Sequence, residues 1–174
     1  ASHNPPEYNG YKVYWNDGAQ VVPPHDKNII AEVNNIPSFE SILFEPNHQL
    51  IQAVPNEVEE SYYQTVKQLI PNQAVIAKQK DMPIAYSSLH GAGITMVPNC
   101  LKAIGFENIH VVAEQATPDG NFPTVQSPNP EERSAMAFVI EKGKSIGADL
   151  VMATDPDTDR VGIGIKNKEG QFEL

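Results

Sequence analysis

The chain has 174 residues, 40% of them hydrophobic, with 12 basic against 22 acidic side chains and a formal net charge of -10. That length allows one full domain with some chain to spare, and the charge argues against a nucleic-acid surface or an anionic membrane as partner. Cys100 is the single cysteine, which excludes an internal disulfide and fits a reducing cytoplasm; no signal peptide or transmembrane run is visible.

In chain order, Ala1-Ser-His-Asn-Pro-Pro6 opens with hydrogen-bonding groups stiffened by prolines, which by composition alone reads as a frayed polar terminus. Tyr11–Trp15 and Ala19–Val22 flank Asn16-Asp-Gly18 and predict a hairpin, ended by Pro23-Pro24. Asp26 is the expected N-cap of a helix running through Asn34. Residues 36–58 are mixed and punctuated by prolines, which suits a crossover or linker containing a domain boundary. A helix is expected over Glu59–Ile70, with Tyr62, Tyr63, Val66, Leu69 and Ile70 as its packing face.

From Pro83 strands alternate with helices. Ile84–Tyr86 predicts a strand, Val97–Ile104 a helix capped by Gly105, and Ile109–Ala113 a second strand. A polar loop follows over residues 115–129, then a helix expected from Pro130 to Ser145, and a third strand over Leu150–Thr154. Val161–Ile165 and Gln171–Leu174 flank a turn at Asn167–Gly170 and read as an antiparallel edge pair. This β-α-β-α-β order predicts an α/β fold, a three-layer α/β/α domain with a mostly parallel sheet, preceded by a partial α/β domain. Ligands then belong at the carboxyl ends of the strands, where the Ser87–Gly93 and Asp155–Arg160 loops fall. In the first of these loops, His90 reads primarily as a residue that pins loops by hydrogen bonds, with substrate contact as the alternative. Gly91 and Gly93 allow either the close approach of a ligand or only a tight turn.

The most informative stretch is Asp155-Pro-Asp157-Thr-Asp159-Arg160, set between two apolar runs. Carboxylates at i, i+2 and i+4 converge if the loop curls inward, and three oxygen ligands suit a hard divalent cation, magnesium first. Without a cation the three charges repel one another, with Arg160 as partial compensation. The EF-hand pattern fails, because its required Gly and Glu positions hold Arg160 and Lys166. A solvated acidic turn, and an aspartyl nucleophile for phosphoryl transfer at Asp155 or Asp157, are the alternatives.

Three segments, in order, resemble the phosphohexomutase superfamily, which includes the phosphoglucomutases and phosphomannomutases. Ala1–Lys12 resembles its phosphoserine loop, Asp119-Gly-Asn-Phe-Pro with Ser127–Glu132 its second-domain segment, and Asp155–Arg160 its magnesium loop; Leu89–Gly93 adds to the match. Pro156 resembles the type-2 phosphoglucomutase and phosphopentomutase branch, where many other members carry glycine. The resemblance implies Ser2 as the phosphorylated serine and Asp155, Asp157 and Asp159 as magnesium ligands, with phosphorylated Ser2 as a further ligand. It also implies His3 and Lys12 near the transferred phosphoryl group and Arg160 closing the metal loop. Residues 1–42 would be the end of the phosphoserine-bearing first domain and 43–174 the metal-binding second domain, with the third and fourth domains of the same polypeptide missing.

The implied activity is intramolecular phosphotransfer on a sugar phosphate, glucose 1-phosphate to glucose 6-phosphate or a close analogue. It would pass through phosphoserine and a sugar bisphosphate, with Mg2+ and glucose 1,6-bisphosphate or an analogue as cofactors. The chain alone is expected to be inactive. The rivals are a magnesium-dependent phosphatase or phosphotransferase using an aspartyl nucleophile, and a noncatalytic sugar-phosphate-binding domain.

Overall fold

The computed structural model describes His3, Tyr8 and residues 11–174, and these fall into two compact units. One holds residues 56–174 together with His3 and Tyr8; the other lies within residues 10–55.

The larger unit is built on five strands: β1 Ile84–Ser87, β2 Ile109–Val111, β3 Leu150–Thr154, β4 Val161–Lys166 and β5 Phe172–Glu173, in the order β2-β1-β3-β4-β5. β1 pairs in parallel with both β2 and β3, whereas β4 is antiparallel to β3 and β5 to β4. Only β4 therefore runs against the rest, so the expected mostly parallel α/β sheet is what forms. β1 is central and buried along its whole length, which suits an uninterrupted Ile-Ala-Tyr-Ser run covered on both faces. The connection β1-α4-β2, with α4 spanning Gly93–Ile104, steps to one side of β1. The connection β2-α5-β3, with α5 spanning Ala137–Ile146, steps back across it. Right-handed crossovers in opposite directions place α4 and α5 on opposite faces, which gives three layers.

The side chains follow that division. Ala85, Val151 and Ala153 face the α5 side and pack with Val139, Ile140, Met136 and Phe172. Ile84 and Tyr86, equally buried, alternate to the other face. Helix α2, Asn56–Gln68, lies against α4, where the Tyr63 hydroxyl meets Met96 Sδ at 3.6 Å.

Several boundaries differ from the sequence reading, each for a local reason. The helix expected from Pro130 begins only at Ala137. Residues before it are held in turns, where Asn129 Oδ1 accepts from Glu131 N, Ser127 Oγ donates to Glu132 Oε1, and Glu132 O accepts from Ala135 and Met136 N. Helix α4 starts one turn earlier than expected and carries Pro98 inside it. Its end is as read, with Gly105 at φ +119°, a conformation that a side chain would oppose. Helix α2 also starts three residues early, directly after Pro55, and a short helix α3, Gln73–Lys78, was not anticipated.

In the smaller unit the expected hairpin is reduced to one antiparallel bridge, Tyr14 to Gln20, cut short by the missing N–H groups of Pro23 and Pro24. Helix α1 is His25–Asn34. Asp26 is not its N-cap but lies in its first turn, because the Val22 carbonyl already accepts from His25 and Asp26 N. No described residue of this unit is buried.

Gly143 on α5 tests how closely helix and sheet approach. A Cβ there would lie 2.4 Å from Val151 Cγ1 and 3.0 Å from Phe172 Cζ, both on buried side chains. Gly143→Ala gains roughly 1 kcal/mol in helix propensity but incurs overpacking of about 1–3 kcal/mol. The net expectation is a lower urea midpoint for the variant, and a midpoint at or above the parent's would show that α5 has room to spare.

Candidate functional site

In the order β2-β1-β3, chain connections leave β1 on one side and β3 on the other, so the crevice beyond the carboxyl ends of β1 and β3 is the topological switch point of the sheet. Two loops meet there. The loop after β3 is the acidic hexamer, which turns the chain back into β4. The loop after β1 is Ser88–Ala92, leading into α4.

The acidic loop is tied across its base. Arg160 N donates to Asp155 Oδ1 at 3.0 Å, Asp155 N to Arg160 O at 3.3 Å, and Thr158 N to Asp155 O at 3.0 Å. Thr158 adopts φ +67°, a left-handed conformation that costs a β-branched residue roughly 1–3 kcal/mol. The curl brings Asp155, Asp157 and Asp159 together, with one carboxylate oxygen from each lying within 4.8 Å of the others. Asp155 is fully buried, while Asp157 and Asp159 are exposed.

This geometry has an electrostatic consequence. Asp155 Oδ2 is buried and has no hydrogen-bond donor among the described residues. Burial pushes the Asp155 carboxyl up from its ordinary 3.8 to about 6, against the pull of the Arg160 N–H, and the Asp157 and Asp159 carboxylates add to the rise. An orphaned, buried carboxylate oxygen facing two more carboxylates fits a divalent cation, which would satisfy that oxygen and remove the repulsion.

The loop after β1 fits against the acidic loop backbone to backbone. Ala92 N donates to Pro156 O at 2.9 Å. A Cβ on Gly91 would fall 2.2 Å from Pro156 Cα, so only glycine allows this approach. At the start of α4, a Cβ on Gly93 would meet the hydroxyls of Tyr86, Thr154 and Thr158. Sequence reasoning missed those three hydroxyls, since each lies inside or beside an apolar or acidic run that drew attention to other residues. His90 is buried, with Nδ1 3.1 Å from Thr117 O and Nε2 2.9 Å from Thr124 Oγ1, in keeping with its reading as a loop pin.

The other site residues are distributed as follows. His3 Nδ1 lies 4.0 Å from Asp155 Oδ2, which brings His3 to the acidic loop. Ser2 lies outside the described residues. Lys12 belongs to the smaller unit and is exposed. Arg160 uses its backbone on Asp155 and its guanidinium on Glu131, where NH1 donates to Oε1 at 3.0 Å. Glu131 was not anticipated as that partner, although the Ser127–Glu132 segment that carries it was noted.

Known proteins match this arrangement along the chain. Residues 60–170 match the family described as phosphoglucomutase/phosphomannomutase, alpha/beta/alpha domain II, and residues 1–40 match domain I of the same family. A phosphoglucomutase of Staphylococcus haemolyticus is 37% identical over 98% of this chain and 31% of its own length. One from Staphylococcus aureus strain MRSA252 is 36% identical over 99% of this chain and 31% of its own. The chain thus spans about a third of the length of these relatives. A phosphoglucomutase/phosphomannomutase family protein from Burkholderia thailandensis shares the fold, with a TM-score of 0.60 at 23% identity, over 98% of this chain and 33% of that one. With most of its length matched to the second-domain family and its opening residues to the first, the chain belongs to the phosphoglucomutase/phosphomannomutase family.

Proposed function

We propose that the protein carrying this chain moves a phosphoryl group between positions of a sugar phosphate through phosphorylated Ser2 and a sugar bisphosphate. The observation that carries the reading is the convergence of Asp155, Asp157 and Asp159 within 4.8 Å at the switch-point crevice, with His3 4.0 Å from Asp155. His3 is one peptide from Ser2, and adjacent Cα atoms are about 3.8 Å apart. The His3 contact supports assigning the nucleophile and the acidic loop to one centre.

In this reading Asp155, Asp157 and Asp159 would hold Mg2+, with phosphorylated Ser2 as a further ligand. The cation, when bound, supplies charge neutralisation at the transferring phosphoryl oxygens. The bond from phosphorus to Ser2 Oγ breaks as a bond to the sugar hydroxyl oxygen forms. The proton of that hydroxyl ends on Ser2 Oγ, with His3 as the carrier. The resulting bisphosphate, glucose 1,6-bisphosphate or an analogue, reorients and returns its other phosphoryl group to Ser2. The family resemblance assigns Lys12 as a donor to the moving phosphoryl group. Arg160 acts as a positioning residue, since its backbone N–H holds Asp155 Oδ1 and its guanidinium is engaged by Glu131. Complete burial makes Asp155 a poor nucleophile, which weighs against the form of the aspartyl phosphatase that would use Asp155 rather than the exposed Asp157. The family matches at 1–40 and 60–170 support a first domain ending near residue 42 and a metal-binding second domain from 43 to 174. The relatives' greater length supports further domains for sugar and phosphate recognition in the same polypeptide.

Three measurements check this reading. In the protein that carries this chain, glucose 1,6-bisphosphate should leave acid-stable phosphate on Ser2, and Ser2→Ala should abolish both that label and mutase turnover; normal turnover by Ser2→Ala would exclude the assigned role. The 174 residues alone should show no significant conversion of glucose 1-phosphate in the presence of Mg2+ and the bisphosphate, because reacting groups must be placed within roughly 1 Å. Turnover near that of a full-length family phosphoglucomutase would refute this.

The third measurement concerns pH. A carboxyl whose pKa is raised in the fold binds more protons folded than unfolded, so its contribution to stability falls as pH rises from about 4 to about 6. Asp155→Asn keeps an oxygen for the Arg160 N–H and carries no charge. In chelator, the variant should therefore gain on the parent across that window, by about 3 kcal/mol at pH 7. Millimolar Mg2+ should raise the melting temperature of the parent and not that of the variant. Parallel pH-stability curves for the two proteins would overturn the electrostatic account.

A further inference from the structure

Beneath the loop after β1 runs a chain of buried and part-buried hydrogen bonds that the reaction does not use. Leu89 N donates to Ser87 Oγ at 3.1 Å, and Ser87 Oγ donates to Gln115 Oε1 at 2.6 Å. Gln115 Nε2 donates to Thr124 Oγ1 at 2.9 Å, and Thr124 Oγ1 lies 2.9 Å from His90 Nε2. His90 Nδ1 lies 3.1 Å from the Thr117 carbonyl. A carbonyl only accepts, so in the neutral imidazole of His90 the proton sits on Nδ1 and Nε2 is left as an acceptor. Thr124 receives from the Gln115 amide and gives its own proton to His90. Every group in this chain from the Leu89 amide to the Thr117 carbonyl thus has a role that its neighbours require, the condition under which a buried network specifies one geometry.

The geometry it specifies is an uncommon one. Leu89 and His90 both have positive φ, +46° and +63°, a costly backbone for two successive residues with side chains. Around them His90 N and Ser88 Oγ both donate to Gln115 O, and Asp119 N donates to His90 O. The left-handed pair aims the next two residues at the acidic loop, where Gly91 packs on the Pro156 backbone and Ala92 N holds the Pro156 carbonyl. Pro156 lies between Asp155 and Asp157.

We propose that Thr124, acting through His90 and Gln115, is a positioning residue for the acidic loop. Its hydroxyl joins the polar 115–129 loop to the left-handed turn whose Gly91-Ala92 step fixes Pro156 between two carboxylates. As a statement about cation binding this rests on the proposed function; as a statement about the loop's geometry it does not.

The test uses Thr124→Val, which keeps the shape and removes the hydroxyl, with Thr124→Ser as the conservative rescue. Thr124 is only partly buried, so the valine is accommodated without loss of the fold. Amide hydrogen exchange is followed in the chelated chain at Ala92 and Arg160, two of the donors that tie the acidic loop, and at Val139 and Val151 in the core. In Thr124→Val the first pair should exchange at least about tenfold faster while the core pair changes less than about threefold, the mark of a local opening. Thr124→Ser should return Ala92 and Arg160 to parent rates. Mn2+, used as the probe cation in calorimetry, should bind Thr124→Val about tenfold more weakly, the usual scale for a partner of a ligand-bearing loop. Unchanged exchange at Ala92 and Arg160, or equal acceleration at all four amides, would overturn the proposal. Failure of the parent chain to bind Mn2+ would defeat the cation reading instead, and the exchange rates would still decide the coupling.

Discussion

Three carboxylates within 4.8 Å of one another, one of them fully buried, form an arrangement that the fold must hold against its own electrostatics. At an effective dielectric constant of about 20, two charges 4 Å apart repel by about 4 kcal/mol. The restraint comes from the backbone. The Arg160 N–H fixes one oxygen of Asp155, the Thr158 N–H closes the turn, and Ala92 holds the Pro156 carbonyl from the neighbouring loop. The Arg160 N–H holds the Asp155 carboxylate itself, while the exposed Asp157 and Asp159 are brought near it by the course of the backbone. The strained φ of Thr158 belongs to the same account: a loop selected for its own stability would place glycine or asparagine there.

The sheet explains why this restraint is available at this place. Parallel strands β1 and β3 end side by side, and their following loops depart to different elements, α4 and β4. Two loops that leave adjacent strand ends must pass close together, and Gly91 lets them touch through their backbones. The antiparallel return of β4 then anchors the far end of the acidic loop, with Val161 paired to Thr154. The loop is short; it leaves the buried end of β3 and is tied at its far end to β4. The strand Leu150–Thr154 and the spacing of the three aspartates were legible in the sequence, because each depends on a local pattern: an apolar run, and alternate acids flanked by strand formers.

What was not legible depended on contacts between distant residues. The helix expected from Pro130 begins at Ala137 because the side chains of Ser127 and Asn129 bond to residues 131 and 132, and helix propensity does not register that competition. Likewise Gly91 could be recognised as a site of close approach, but nothing local says that the approaching group is the backbone of Pro156, 65 positions later in the chain. The Tyr86–Thr154 hydroxyl pair, 2.8 Å apart, joins two strands whose adjacency is set by topology. Asp26 was misread because the Val22 carbonyl, not a side chain, takes the first helical N–H groups. In each case the sequence marked a residue with an unusual capacity, and the partner was chosen by the fold.

Charge gives the site its chemical direction. The chain carries -10 overall, and its only arginines are Arg133 and Arg160. Arg160 is engaged by Glu131, and two of the lysines pair with Glu107 and Asp149. A crevice lined by three carboxylates attracts a cation and repels a sugar phosphate, whose anionic groups call for arginine forks, lysines or clustered backbone N–H groups. Cation and phosphate recognition therefore make opposite demands on the local field, and the described acidic loop meets only the first. A divalent cation at the three aspartates would reduce the negative field and present positive charge to a phosphoryl group, reversing the electrostatic sense of the crevice.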